Sequence, residues 1–206
     1  PRIIAQSVDP IEKKPIFHLK PGSFSYSIAT VGCNFKCAFC QNASIAQMPP
    51  DQMSVDIKGR IQGKVISPEE IVAQAVKTGC ESISYTYTEP TVFFELALET
   101  ARLAKEKGLF NIFVTNGYMS EKALRMAAPF LDAANVDLKA FSVNFYKTYC
   151  KAALNPVKEN IQLMRKLGIM VEITTLLIPG LNDDKQEIKA LAEFIAHDIG
   201  QETPWH

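Results

Sequence analysis

Apolar and polar residues along the chain switch between two periods, and the switching repeats. Short runs rich in β-branched and aromatic residues alternate with longer runs that repeat at three and four. FSYSIA at 24–29 is the first short run. SISYTY at 82–87, FNIFVT at 110–115, ANVDLK at 134–139 and MVEITTLLI at 170–178 follow, and each predicts a strand. Helical signals lie between them. Ser67-Pro68-Glu69-Glu70 has the makings of a capping box with proline at the first helical position, flanked by Ile66 and Ile71 as a hydrophobic staple. That helix is predicted to run to about Thr78 and stop at Gly79. Residues 91–108 predict a second helix closed by Gly108, and Ser120 caps a third, with Met119 and Leu124 as its staple. Val157, Ile161 and Met164 keep helical spacing before Gly168. Ile188, Leu191, Ala192 and Ile195 mark one more amphipathic helix.

Strand then helix, repeated at spacings of roughly 25 to 30 residues, predicts βα units on a parallel sheet, an α/β fold. TPWH at 203–206 would begin a sixth strand. Six units suit an open, partial barrel better than the closed barrel of eight. Residues 44–66 are the least regular and predict a long loop. The chain holds no tandem repeat beyond this alternation and no low-complexity segment.

Composition narrows the function. A length of 206 residues suits one large domain or two small ones, and a hydrophobic share of 47% is that of a chain with a buried core. Lysine plus arginine, 22, balances aspartate plus glutamate, 22. A net charge of zero gives no electrostatic footprint for nucleic acid or a membrane surface. No apolar run reaches the ~18 residues of a spanning helix. The start, PRIIAQSVDP, lacks the regions of a signal peptide and an initiator methionine, so a fragment or processed form is expected.

The five cysteines are an odd count and three are clustered, so they do not form a disulfide scaffold, and a reducing cytoplasm fits best. Cys80 and Cys150 stand alone and read as small buried hydrophobes. VGCNFKCAFCQN at 31–42 holds the other three, Cys33, Cys37 and Cys40, with Phe39 just before the last. Thiolates are soft ligands for iron or zinc. One helical turn places Cys37 and Cys40 on one face, and a loop can swing Cys33 inward. Three ligands from one stretch leave a fourth coordination position open.

Barrel logic adds a second observation, because barrel chemistry sits at the C-terminal strand ends. Polar residues gather there: the cysteines after the first strand and Thr88-Glu89-Pro90 after the second. Thr115-Asn116-Gly117, then Asp137 and Lys139, then Thr174-Thr175 follow. Singly each has a plainer reading. Glu89 also suits a helix cap near Thr91, an Asn-Gly pair suits a turn, and Asp137 with Lys139 suits a surface ion pair. Their joint placement is what points to a site.

Cys33-x-x-x-Cys37-x-aromatic-Cys40 after a first strand resembles the signature of the radical S-adenosylmethionine superfamily, and the resemblance covers nearly the whole chain. Within it the chain resembles the activating enzymes of glycyl-radical enzymes such as pyruvate formate-lyase. DLK at 137–139, LIPGLND at 177–183 and Pro204-x-His206 are similar to motifs there. DPIEKKPIFHLKPGSFSYSIATVGCNFKCAFCQN and SYTYTEPTVFFE look closer still to the AmmeMemoRadiSam-system branch. Members of that branch carry further sequence at both ends. Residues 1–206 are therefore expected to be a radical SAM core from a longer chain, a partial (β/α)6 TIM-like barrel.

The resemblance implies a 4Fe–4S cluster on Cys33, Cys37 and Cys40. Its open iron chelates S-adenosylmethionine, and reduction cleaves the sulfonium to a 5′-deoxyadenosyl radical that abstracts hydrogen. Phe39 matches the aromatic beside the adenine. Thr88 and Glu89 match the end of a Gly-Gly-Glu-Pro-type motif that holds the methionyl ammonium, although YTYTEP lacks both glycines. Asn116 falls where a polar group reaches the ribose or carboxylate. Asp137 and the catalytic-site lysine, Lys139, match positions that bind a monovalent cation and contact the cofactor, while a third such position is Val114 here instead of Asp. Thr174 replaces an Arg, and His206 matches a histidine near the ribose. Implied partners are a reductant such as flavodoxin or ferredoxin and either a protein glycine or a small molecule as substrate. Two readings compete: a zinc site of the three cysteines with His18 or His206, and an iron–sulfur electron carrier without S-adenosylmethionine chemistry.

Overall fold

The computed structural model describes residues 2–48 and 63–206. The strands are β1 (Ile3–Pro10), β2 (Phe24–Thr30), β3 (Ser82–Tyr85), β4 (Phe110–Thr115), β5 (Ala133–Asp137) and β6 (Met170–Thr174). The helices are α1 (Ala43–Ala46), α2 (Pro68–Lys77), α3 (Phe94–Glu106), α4 (Glu121–Ala127), α5 (Val143–Phe145), α6 (Asn155–Lys166) and α7 (Lys185–Phe194). The six strands form one sheet in sequence order. β2 to β6 run parallel, while β1 pairs antiparallel with β2 along its edge. This is the α/β, partial-barrel architecture expected, with three differences.

β1 had no counterpart in the predicted pattern, because its burial alternates weakly and it only extends an edge. The sixth strand is a single parallel bridge, Ile173 to Trp205. β3 and β6 end earlier than their β-rich composition suggests. After Tyr85 the backbone breaks at Tyr87, whose φ is +63°. After Thr174 the chain leaves the sheet, and Leu176 and Leu177 are exposed. Of the predicted loop at 44–66, residues 49–62 lie outside the described residues, and its start forms α1.

Local rules account for the rest. Ser67 and Glu70 form the capping box, with Pro68 at the first helical position. Ser120 caps α4 by accepting from Ala123 N at 3.2 Å, and Asp184 caps α7 by accepting from Gln186 N at 2.9 Å. Alternating strand residues divide the interior. One face, including Ile28, Ile83, Tyr85, Phe113, Val136, Val171 and Ile173, packs under the helices in the main core. The opposite face is plugged from below. Ile11 and Ile16 pack on Ile112 and Ala133, and Asn135 Nδ2 donates to Pro15 O at 2.9 Å. The 11–18 segment therefore fills the bottom of the barrel and leaves its chemistry to the other end. Among the described residues no helix is long and apolar enough to cross a membrane.

Candidate active site at the strand ends

The cysteine loop leaves β2 through Gly32, whose φ of +109° favours glycine, and Gly32 N donates to Ile45 O at 3.0 Å. It is then tied to three neighbouring strand ends. Asn42 Nδ2 donates to Tyr87 O, beyond β3, at 2.8 Å. Asn34 Nδ2 donates to Tyr118 O, beyond β4, at 2.7 Å, and Asn34 Oδ1 accepts from Asn116 Nδ2 at 2.7 Å. Lys36 N donates to Cys150 O at 3.0 Å and Ala38 N to Tyr149 O at 2.9 Å, beyond β5.

Cys33 and Cys40 are half-buried and Cys37 is buried, and all three thiols are free of disulfides. Burial pushes the Cys33 thiol up to about 11, while an N–H from Phe35, 3.4 Å from its sulfur, pulls the other way. Asn116 Nδ2 lies 3.7 Å from the same sulfur. A half-buried thiol at the edge of a polar mouth, already facing N–H donors, fits a metal that draws off its proton. Among the described residues no three His, Cys, Asp or Glu side chains converge on a single ion. The zinc reading is not favoured. The histidines that reading requires are engaged elsewhere: His206 Nε2 lies 2.7 Å from Glu172 Oε2, and His18 Nδ1 lies 3.3 Å from Glu172 Oε1.

Glu89 is the most constrained group at the mouth. It is 2% exposed, yet both carboxylate oxygens accept protein donors. Oε1 takes Thr91 N at 3.2 Å, Thr91 Oγ1 at 2.7 Å and Thr115 Oγ1 at 2.8 Å. Oε2 takes Asn116 N at 2.8 Å. Glu89 thus caps the 3₁₀ turn Pro90–Phe93 that leads into α3, and ties β3 to β4. The expected continuous helix from 91 is therefore a 3₁₀ turn followed by α3. Burial raises the Glu89 carboxyl above its ordinary pKa, and these donors work against that rise. Its neighbour Thr88 donates from Oγ1 to Thr30 O at 2.9 Å.

Lys139 Nζ lies 3.0 Å from Asp137 Oδ2 and 6.0 Å from the centre of the Phe39 ring. Burial would push Lys139 down, but Asp137 and the nearby Cys37 sulfur outweigh it and raise the ammonium above its ordinary value. The expected ion pair is thus present, and it stands beside the cysteine loop. Thr174 and His206 are placed differently. Thr174 Oγ1 accepts from Asn135 Nδ2 at 2.9 Å, and His206 packs 4.8 Å from the Phe17 ring while bound to Glu172. Among the described residues neither hydrogen-bonds the cysteine loop. Asn34, Asn42, Tyr87 and Cys150 belong to the site and were not singled out from the sequence. None has a spacing signal, because each reaches the loop through tertiary contacts.

Comparison with known proteins agrees with this geometry. The family model described as Radical SAM superfamily matches residues 27–195. Uncharacterized protein MJ0808 of Methanocaldococcus jannaschii is 44% identical over 205 residues, covering 100% of this chain and 58% of that protein. The pyruvate formate-lyase-activating enzyme of Clostridium pasteurianum is 22% identical over 173 residues, covering 80% of this chain and 66% of its own length. Streptococcus suis SuiB bound to S-adenosylmethionine shares the fold, with a TM-score of 0.63 at 15% identity over 83% of this chain and 37% of that one. The chain spans 51 to 62% of the length of the first curated relatives it matches.

Proposed function

We infer the activity from one premise: the chain belongs to the Radical SAM superfamily. Its cofactors are those of the family, a 4Fe–4S cluster and S-adenosylmethionine. When bound, they supply a 5′-deoxyadenosyl radical, released by one-electron cleavage of the sulfonium, that takes a hydrogen atom from the substrate. The observation that carries the assignment is the loop of Cys33, Cys37 and Cys40, fastened among the polar ends of β3, β4 and β5.

In our reading the three thiolates hold the cluster and leave one iron for the amino and carboxylate groups of the cofactor. Phe39 lies beside the adenine. Glu89 Oε2, which accepts one protein donor, Asn116 N, keeps a lone pair for the methionyl ammonium. Thr88 fixes the strand end that presents Glu89. Asn116 exchanges its bond to Asn34 for one to the ribose or carboxylate, and Lys139 with Asp137 contacts the cofactor from the β5 side. Thr174 and His206 line the β6 side, toward the ribose. Residues 1–206 are the core of a longer cytoplasmic enzyme that takes electrons from a flavodoxin or ferredoxin.

The substrate we favour is a backbone glycine of a partner protein, so that the enzyme activates a glycyl-radical enzyme. The relation to a pyruvate formate-lyase-activating enzyme and the DLK, LIPGLND and Pro204-x-His206 motifs support it. Those motifs also occur with the features that resemble the AmmeMemoRadiSam branch. Anaerobic incubation of the reconstituted protein with S-adenosylmethionine, a reductant and a glycyl-radical partner tests this. A glycyl-radical EPR doublet on the partner is expected. Cofactor cleavage without that doublet would move the substrate to a small molecule.

A further inference from the structure

We propose that Asn182 is a positioning residue for Lys139. Through the Lys139 carbonyl it holds the turn that aims the ion pair of Asp137 and Lys139 at S-adenosylmethionine. The inference rests on the reading that Lys139 contacts the cofactor. Its starting point is that LIPGLND at 177–183 and DLK at 137–139 meet at one buried amide.

β5 pairs with β6 as far as Asp137 and Thr174, where the ladder stops. The backbone groups that follow still need partners where they are buried. Side chains supply them. Thr175 Oγ1 donates to Leu138 O at 2.8 Å, Tyr146 Oη accepts from Lys139 N at 3.1 Å, and Asn182 Nδ2 donates to Lys139 O at 2.8 Å. Lys139 is therefore held at both its N–H and its carbonyl. The turn is tight, because Leu138 N donates back to Val136 O at 3.0 Å and Leu138 is fully buried. With Lys139 Nζ 3.0 Å from Asp137 Oδ2, a shift of this turn moves both charges together.

Asn182 differs from Thr175 and Tyr146 in what else it holds. It is 2% exposed and uses its whole amide. Oδ1 accepts from Ile178 N at 2.7 Å, and Nδ2 also donates to Leu176 O at 2.9 Å. One acceptor and two donors on a short side chain are what asparagine offers. Leu176, Leu177 and Leu181 are exposed, so their packing does not hold the loop down. The same amide thus folds the loop after β6 and fastens it to the end of β5. Asp183 makes the contrast: it is exposed, and its Oδ1 accepts from Gly180 N at 2.9 Å, a bond internal to the loop.

The test is a double-mutant cycle on S-adenosylmethionine affinity, titrated anaerobically against the iron-loaded protein. Asn182→Ala should weaken binding roughly tenfold. Lys139→Met, which keeps the stem without the charge, should weaken it at least as much. The double variant should bind within about twofold of Lys139→Met alone, because Asn182 acts through a group already removed. In melting scans the deficit from Asn182→Ala should be the same in either background, since the Lys139 carbonyl is stranded in both. Asp183→Ala should bind like wild type. Unchanged affinity in Asn182→Ala, or two losses that multiply in the double variant, overturns the proposal and leaves Lys139 its role. Unchanged affinity in Lys139→Met overturns both together. If Asn182→Ala loads no iron, Asn182→Ser takes its place in the cycle, since it keeps an oxygen for the loop and lacks the NH₂ that meets Lys139 O. Loss of iron in both variants overturns the proposal, since Asn182 would then support the cysteine loop.

Discussion

Replacing Glu89 with glutamine separates two roles that the structure overlays on one carboxylate. Four donors converge on it, two of them backbone N–H groups, Thr91 N on Oε1 and Asn116 N on Oε2. An amide has an oxygen on one side only. If its oxygen faces Thr91, its NH₂ meets Asn116 N–H, and flipping it strands Thr91 N–H instead. The Thr91 and Thr115 hydroxyls can turn to accept, but one buried backbone donor is left unpaired either way, at a cost of about 1–3 kcal/mol. Losing a buried charge works in the other direction, because burial has raised this carboxyl's pKa, and keeps the net cost in that range. At about 2–4 °C per kcal/mol for a chain of this size, the melting temperature should fall by roughly 2–12 °C. The cofactor role is read independently. A charge-assisted bond to the ammonium is worth about 1.5–3 kcal/mol, or roughly one to two orders of magnitude in affinity. The assay is a thermal scan of Glu89→Gln beside an S-adenosylmethionine titration of the iron-loaded protein. An unchanged melting temperature would refute the anchoring role. A lowered melting temperature with unchanged affinity would leave Glu89 as a cap alone.

Further outcomes follow from the same structure. Cys33→Ala, Cys37→Ala or Cys40→Ala should each abolish iron loading, whereas Cys80→Ala should load normally at a cost of a few kcal/mol at most, roughly the usual range for a point mutation; colorimetric iron and sulfide analysis decides, and zinc in place of iron would revive the discarded alternative. Gly117→Ala should destabilise by about 2–4 kcal/mol in a urea titration, from left-handed strain and overpacking. Gly117 has φ +73°, and a Cβ there would stand 3.0 Å from Val136 Cγ1 and 3.2 Å from Val157 Cγ1; a neutral substitution would mean that the turn after β4 is slack. Burial would raise the Asp9 carboxyl, but bonds from Lys13, Lys14 and Tyr87 outweigh it and hold the group far below its ordinary value. A depressed carboxyl contributes stability that is present above its unfolded pKa, about 4, and lost as pH falls below it. The deficit of Asp9→Asn against wild type should therefore be large at pH 7 and shrink toward pH 3, and a deficit independent of pH would contradict the assignment.

What was legible in the sequence was whatever local chemistry decides. The capping box at Ser67, the caps at Ser120 and the strand FNIFVT at 110–115 all stand where the pattern puts them. The three cysteines and the polar strand ends were visible for the same reason, since barrel topology sends each strand's C-terminus to one mouth. β1 was missed because an edge strand needs little hydrophobic alternation. LLI at 176–178 has strand composition, but past Thr174 the neighbouring β5 has ended and offers no partner. Cys150 read as a small buried hydrophobe. Burial was right, and the π-helical turn and two backbone bonds that place it beside the cysteine loop are encoded by no spacing. Glu89 shows the opposite case, in which the functional and the capping readings of one residue share the same atoms.

Reductive cleavage of S-adenosylmethionine tests the central claim most directly. The anaerobically reconstituted protein is incubated with S-adenosylmethionine and dithionite, and 5′-deoxyadenosine and methionine are quantified by chromatography. The account predicts both products in equal amounts, dependent on the reductant and lost in Cys37→Ala. A protein carrying its full iron and sulfide that forms no 5′-deoxyadenosine under these conditions would contradict it.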